Sequence, residues 1–244
     1  MKDKSLISTI IIAIAIIITG YLLGTNYKNK NKKPNTIEVT GLAEKNFKSD
    51  LIVWNGSFSK SNKDLKSASN ELKKDVDKVK AFFDEMKVPL KEILFSAVQI
   101  EREYETVYDD NGNSKSTFIG YKLTQNVKIE SKNISLIEKV SREVSTLIDE
   151  GVEFYSESPM YYYTKLSDLK LQLIEEATKD GRARAEKIAI NGGAKIERLM
   201  QGDMGVFQIT ACNSDEDYTW GGAFNTSSLE KTASITVYLV FEIN

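Results

Sequence analysis

Histidine is absent from the 244-residue chain, and cysteine occurs once, at Cys212. The first absence excludes Ser-His-Asp and Cys-His catalysis, His-ligated metals and an ordinary pH switch near neutrality. The second excludes an intramolecular disulfide and any cysteine cluster for zinc or iron–sulfur. Basic clusters are confined to the start of the chain. Residues 1–33 hold six lysines and one acid, and everything after them is acidic overall. Phosphate neutralisation needs clustered Lys and Arg, so nucleic acid is not an expected partner. The acidic run around Asp109, Asn111 and Asn113 opens like a calcium loop. Ser114 then stands where that loop needs Gly, and Gly120 where it needs Glu, so it reads as a solvated hairpin tip. No cofactor, no metal and no catalytic residue is expected, and the protein is expected not to be an enzyme.

What is present is globular in composition, with 41% apolar and 28% charged residues. Residues 5–24 (SLISTIIIAIAIIITGYLLG) carry no charge and are long enough to cross a hydrocarbon core of about 30 Å. They read as an uncleaved membrane anchor behind a short tail, residues 1–4. The alternative is a cleaved signal peptide, whose usual A-x-A-like site is missing here and whose removal would give a secreted protein. The short lysine-bearing start favours an extracytoplasmic body, while the four lysines after the span oppose it. Gly20 and Gly24 form one GxxxG, a weak helix-pairing signal. Residues 25–35 (TNYKNKNKKPN) have no apolar face and read as a polar linker.

Residues 36–244 read as one α+β domain. Residues 36–47 and 50–60 are short, β-rich segments separated by turn residues. In 62–87 the period changes: Leu65, Ala68, Leu72, Val76, Val79, Phe83 and Met86 recur at steps of three and four, the stripe of a long helix that Val88-Pro89 ends. Residues 91–108 and 116–131 alternate around Asn111-Gly112, a hairpin signal of the type I′ kind. Ile134, Ile137, Val140, Val144 and Ile148 predict a helix over 133–149, stopped by Gly151 and followed by a strand at 152–164. A third helix is predicted over 166–191, then strands at 194–210 and 229–243. The resulting order, β-β-α-β-β-α-β-α-β-β, predicts antiparallel sheet with three helices on one face. Ferredoxin-like and repeated β-α-β-β units both fit that order.

The stretch DGRARAEKIAINGGAKI, at 180–196, closes the third helix. Ala177, Gly181 and Ala185 are spaced by four, with Ile188 continuing their face, and small residues there allow a close approach to a neighbour. Arg182 and Arg184 flank that seam, their stems covering apolar surface and their charges in water. Gly192 and Gly193 come after the helix, where they cap its C-terminus; a phosphate loop needs its glycines before a helix.

That pattern, Ala-Arg-Ala-Glu-x-Ile-Ala at 183–189 followed by a glycine cap and a strand, resembles the SIMPL-domain family. TIEVTGLAEKNFKSDLIVWNGSFS resembles the family's opening, with Ser49-Asp50 where the family often has Pro-Asp. GYKLTQNVKIES at 120–131 resembles its Gly-Tyr strand, and KTASITVYLVFEI its closing strand. Together these cover about residues 36–244. The family includes bacterial oxidative-stress-defence and periplasmic immunogenic proteins. The resemblance implies an α+β fold, export to the cell envelope and, in some members, homo-oligomeric rings. It supplies no catalytic residue.

Two aromatic groups stand out. Tyr161, Tyr162 and Tyr163 follow Ser158-Pro159-Met160; alternation places Tyr162 on one face and its neighbours on the other, either as strand packing or as a subunit interface. Trp220 and Phe224 lie in a polar loop, 212–228, and either fold back onto the body or dock a protein partner, whose identity the sequence leaves unknown. The expected function is therefore a membrane-anchored, extracytoplasmic SIMPL-type protein: a homo-oligomeric assembly or stress-protection module. A small-molecule sensor, or an adaptor docking through 212–228, is the alternative.

Overall fold

The computed structural model describes residues 13–24, 35–108 and 112–244. The first part of the apolar segment, residues 5–12, together with residues 1–4, most of the linker and the hairpin tip at 109–111, lies outside the described residues. Residues 13–24 form a helix, α1, exposed throughout. Among the described residues no helix is long and apolar enough to cross a membrane.

The chain forms two compact units. One comprises residues 43–176 and 206–236, the other residues up to 42, 177–205 and 237–244. In chain order the elements of the body are β1 (Thr36–Lys48), β2 (Leu51–Asn62), α2 (Leu65–Glu85), β3 (Ile93–Phe95), β4 (Gln99–Tyr108), β5 (Ser114–Ser131), α3 (Ile134–Glu143), α4 (Thr146–Asp149), β6 (Phe154–Ser156), β7 (Met160–Tyr162), α5 (Leu166–Asn191), β8 (Ile196–Met204), β9 (Gln208–Ala211) and β10 (Glu230–Ile243). The class is α+β with antiparallel sheets, as expected, but the described residues of the body form four α-helices rather than three.

The first unit holds a six-stranded antiparallel sheet in the order β3-β5-β2-β6, with β4 paired to β5 and β7 to β2. Strand alternation turns Ile52, Trp54 and Phe58 of β2 and Leu123, Val127 and Ile129 of β5 to one face. There they pack against Ala68, Leu72, Val79 and Phe83 of α2 and Ile137 and Val140 of α3. Trp54 is fully buried, edge-on to Phe83 and stacked on Phe154. Its truncation to Ala would cost about 3–5 kcal/mol. Gly56 makes room for that stack, since a Cβ there would lie 2.5 Å from the Phe154 ring. Asp64 caps α2 by accepting from the Ser67 amide (2.8 Å) and hydroxyl (2.9 Å), and those bonds hold its carboxyl below the usual range.

The departures from expectation have local causes. The helix over 133–149 breaks into α3 and α4 where Ser145 and Thr146 hydroxyls donate to the carbonyls of Arg142 and Glu143, competing with the helical ladder. The strand over 152–164 splits around Pro159, which has no N–H to offer a ladder. The strand over 91–108 splits at Ser96, whose hydroxyl accepts from the Asn126 amide. The last pair of the β4–β5 hairpin is Tyr108 with Ser114; the type I′ turn expected at Asn111-Gly112 falls partly outside the described residues.

The four-stranded sheet has the order β1-β10-β8, with β9 also paired to β10. In the second unit β10 runs antiparallel to β8 from Val237–Met204 to Ile243–Ile196. Here α5 crosses β1 on small residues. A Cβ on Gly41 would overlap the Ala177 carbonyl oxygen, and one on Gly181 would lie 2.7 Å from Leu239 Cδ1. The seam continues to Ala189, which is buried; Ile188 turns outward and is exposed. Strict four-residue spacing, from 177 through 181 and 185 to 189, is thus the rule that the packing follows. The helix ends as the double glycine predicts: Gly193 has φ +79°, and the Ala194 amide reaches back to the Ala189 carbonyl at 2.8 Å.

Candidate functional site

The five aromatic residues singled out from the sequence separate into two groups with different surroundings. Tyr161 pairs with Ile52 of β2 and faces the core, where its hydroxyl donates to Glu138 Oε1 at 2.9 Å. Burial, and then that bond, push its hydroxyl pKa up. Tyr162 pairs with Leu51 and so takes the opposite face. Tyr163 lies just past the end of β7, packs its ring 5.0 Å from that of Phe47 and joins Tyr162 on that outer side. The alternation expected of the three tyrosines therefore holds for the first two and stops at the strand end. Tyr162, Tyr163, Leu51, Val53, Lys128 and Glu130 line an open groove of about 550 Å³.

The 212–228 loop is long but well fastened. Gln208 Oε1 accepts from the amides of Ala223 (2.7 Å) and Thr219 (3.2 Å), and its Nε2 donates to the Thr219 carbonyl at 2.9 Å. Glu216 accepts from the Ala211 amide and from Asn225 Nδ2. Gly222 sits at φ +92°, and a Cβ there would lie 2.7 Å from the Phe207 carbonyl oxygen. Phe224 is bridged to Ile209 beside β9 and remains 55% exposed. Trp220 is completely exposed, at 101%. It does not fold back onto the body. Asp215 and Asp217, both exposed, precede it.

A feature that the sequence pattern alone did not single out lies under this loop. Lys231 of β10 is 2% exposed, and its Nζ donates to the Tyr161 carbonyl at 2.5 Å. Burial pushes its pKa down to about 8, against the opposing pull of Glu216. The signal was available: Lys231 shares its period-two face with Ala233, Ile235 and Val237, all buried. The Tyr161 amide in turn donates to the Thr226 carbonyl at 2.7 Å, so Lys231, Tyr161 and the loop are fastened together.

Two further surfaces carry exposed apolar groups. Beyond the helices, β4 and β5 continue as a two-stranded arm whose residues are almost all exposed. Tyr104, Phe118 and Tyr121 form an aromatic stripe along it, with ring centroids 5.8 and 5.1 Å apart. In the second unit, a groove of about 600 Å³ runs between the start of β1 and α5, floored by Val39, Ala183 and Ile188 and bordered by Arg184 and Lys187. Among the described residues no group of three or more acidic or cysteine side chains is placed to hold a metal ion.

Four of the motif residues that carried the resemblance make architectural contacts. Gly41 permits the β1–α5 crossing. Asp50 accepts from the Thr164 amide (2.7 Å) and hydroxyl (2.6 Å), fastening the β1–β2 turn to the start of α5. Gly120 lies where a Cβ would be 2.8 Å from the Asn62 carbonyl oxygen. Ser49, standing where proline is frequent, uses the amide that proline lacks to donate to the Leu229 carbonyl at 2.9 Å. An α+β body built around these contacts defines the class. The model of the SIMPL family, described as a protein of unknown function (DUF541), matches residues 37–240, and the chain belongs to that family. A search of curated proteins finds no match.

Proposed function

We propose that this protein is a membrane-tethered, extracytoplasmic, homo-oligomeric assembly module of the cell envelope, protective rather than enzymatic. The observation that carries the assembly reading is the β4–β5 arm. An isolated two-stranded ribbon is at best marginally stable in water and needs further surface to pack on. This arm leaves Ile100, Tyr104, Tyr108 and Phe118 exposed. Tyr104 and Phe118 extend the same sheet face on which Leu123 is buried under the helices, so the arm offers a strip of core-like surface without a cover from the described residues. Aromatic side chains of this kind are enriched at subunit interfaces. The uncharged run at 5–24 supports the tether, and the absent histidine and single cysteine support the non-enzymatic part.

The test is the solution mass of the full chain in a mild detergent, measured by light scattering with the detergent contribution separated. A defined oligomer supports the proposal; a monomer at all concentrations overturns its assembly part. Docking of a different protein through residues 212–228 is the second reading, favoured by the complete exposure of Trp220 on a fastened loop.

A further inference from the structure

The 212–228 loop spends many interactions on presenting one side chain to solvent. Gln208 fixes both ends of the Thr219–Ala223 segment, Gly222 is held at positive φ, and Glu216 ties the loop to β9. Within this bracket Trp220 has no cover at all. A large aromatic group held rigidly in water binds with little further loss of freedom, which is the property of an interface anchor. The two acids before it, Asp215 and Asp217, state the charge that its receptor must complement. They also disfavour an anionic lipid surface as that receptor.

The same chain carries a surface of the opposite character. The groove beside α5 has an apolar floor of Val39, Ala183 and Ile188, and Ile188 is 56% exposed. Its rim is basic. Arg184 has one N–H engaged by Asp180 at 2.8 Å, which leaves the rest of its donor fork available, and Lys187 stands one residue before Ile188. The acid in the groove, Glu38, accepts from the Tyr238 hydroxyl at 2.5 Å. At about 600 Å³ the groove is within the size range that buries a compact aromatic ligand.

We propose that Trp220 of one copy seats on the Val39–Ala183–Ile188 floor of a second copy, with Asp215 and Asp217 against Arg184 and Lys187. This rests on the homo-oligomer reading and specifies a contact within it. The contact joins two different surfaces, so it either pairs reciprocally about a two-fold axis as a closed dimer or runs head-to-tail into a ring or filament, according to the rotation it imposes.

The test places a photo-activated benzophenone amino acid at position 188 of the full chain. Cross-linked products are mapped by mass spectrometry, and the mass of the uncross-linked sample is recorded beside them. The expected product is an intermolecular adduct to the 212–228 peptide. It should fall at least about tenfold in Trp220→Ala, whose exposed side chain the fold does not use. It should also fall in Lys187→Glu and in Asp217→Lys alone, and recover when those two variants are mixed or combined. A wild-type monomer overturns this contact together with the assembly reading. An oligomer whose adducts map elsewhere, or persist undiminished in Trp220→Ala, overturns this contact alone.

Discussion

Gly41 and Gly181 meet backbone to backbone: a Cβ on Gly41 would lie 2.6 Å from the Gly181 amide nitrogen, and one on Gly181 would lie 3.2 Å from the Gly41 amide nitrogen. This pair lets α5 lie directly on β1. Asp180 closes the crossing by accepting from the Leu42 amide at 2.9 Å, and that bond, with Arg184 beside it, holds its carboxyl below the usual range.

Alanine at either position therefore destabilises, and unequally. At Gly41 the new methyl meets backbone, which has nowhere to go. At Gly181 the nearest atom is the movable end of Leu239, and helix propensity returns about 1 kcal/mol. Gly41→Ala is expected to cost more than about 3 kcal/mol and Gly181→Ala about 1–2 kcal/mol. Gly20→Ala, with nothing within 4 Å, should leave the unfolding of the body unchanged. Thermal unfolding of the three variants decides it, and equal effects at 41 and 20 would refute the crossing.

Lys231 predicts a pH dependence of the opposite sign to a salt-bridged lysine. Its folded pKa of about 8 lies below the ordinary value of 10.5. Between those pH values the unfolded chain binds more protons than the folded one, so stability rises with pH across that window. The gain is at most about 3 kcal/mol, because a tenfold change in proton affinity is worth about 1.4 kcal/mol. Relative to wild type, Lys231→Met should be more stable at pH 7, and its advantage should shrink toward pH 10.5. Denaturant titrations at several pH values measure this; a difference that does not change with pH would show that the lysine is not titrating as its burial requires.

Asp50 predicts an acid-side effect. Burial alone would push its carboxyl up, but two bonds from Thr164, with Lys132 nearby, hold it below the usual range. Its contribution is complete above the unfolded carboxylate range and is lost as pH falls through the lower, folded value. Asp50→Asn is expected to lower Tm by a few degrees at neutral pH, as the loss of about 1 kcal/mol does in a chain of this size. At strongly acidic pH the wild type should approach the variant. A Tm gap that survives there would assign the effect to packing instead.

Much of this architecture was legible because its signals are periodic. The α2 stripe, the bounds of α5 and its glycine cap follow directly from spacing and from where the glycines fall. The break between α3 and α4 was not legible, because Ser145 and Thr146 are compatible with a helix until their hydroxyls find Arg142 and Glu143. Ile188 was misplaced by one position: it fits a helical stripe by hydrophobicity, yet the packed seam admits only small residues and so selects Ala189. The site was less legible still. Tyr161 and Tyr162 look alike in sequence, and only strand pairing sends one to the core and the other outward. Trp220 could not be assigned to core or surface without the bonds from Gln208 that hold its loop. Lys231 was overlooked because charge outweighed its place in the alternation of β10.

The central claim is that this body works by self-association through exposed aromatic surface on the β4–β5 arm. The most direct test compares the full chain with a Tyr104→Ser, Phe118→Ser double variant by sedimentation in the same detergent at equal concentrations. Both side chains are more than two-fifths exposed, so the helix-covered core should keep its unfolding midpoint. The account predicts a defined oligomer for the parent chain and a smaller species for the variant. Identical masses for the two, with the variant still folded, would contradict it.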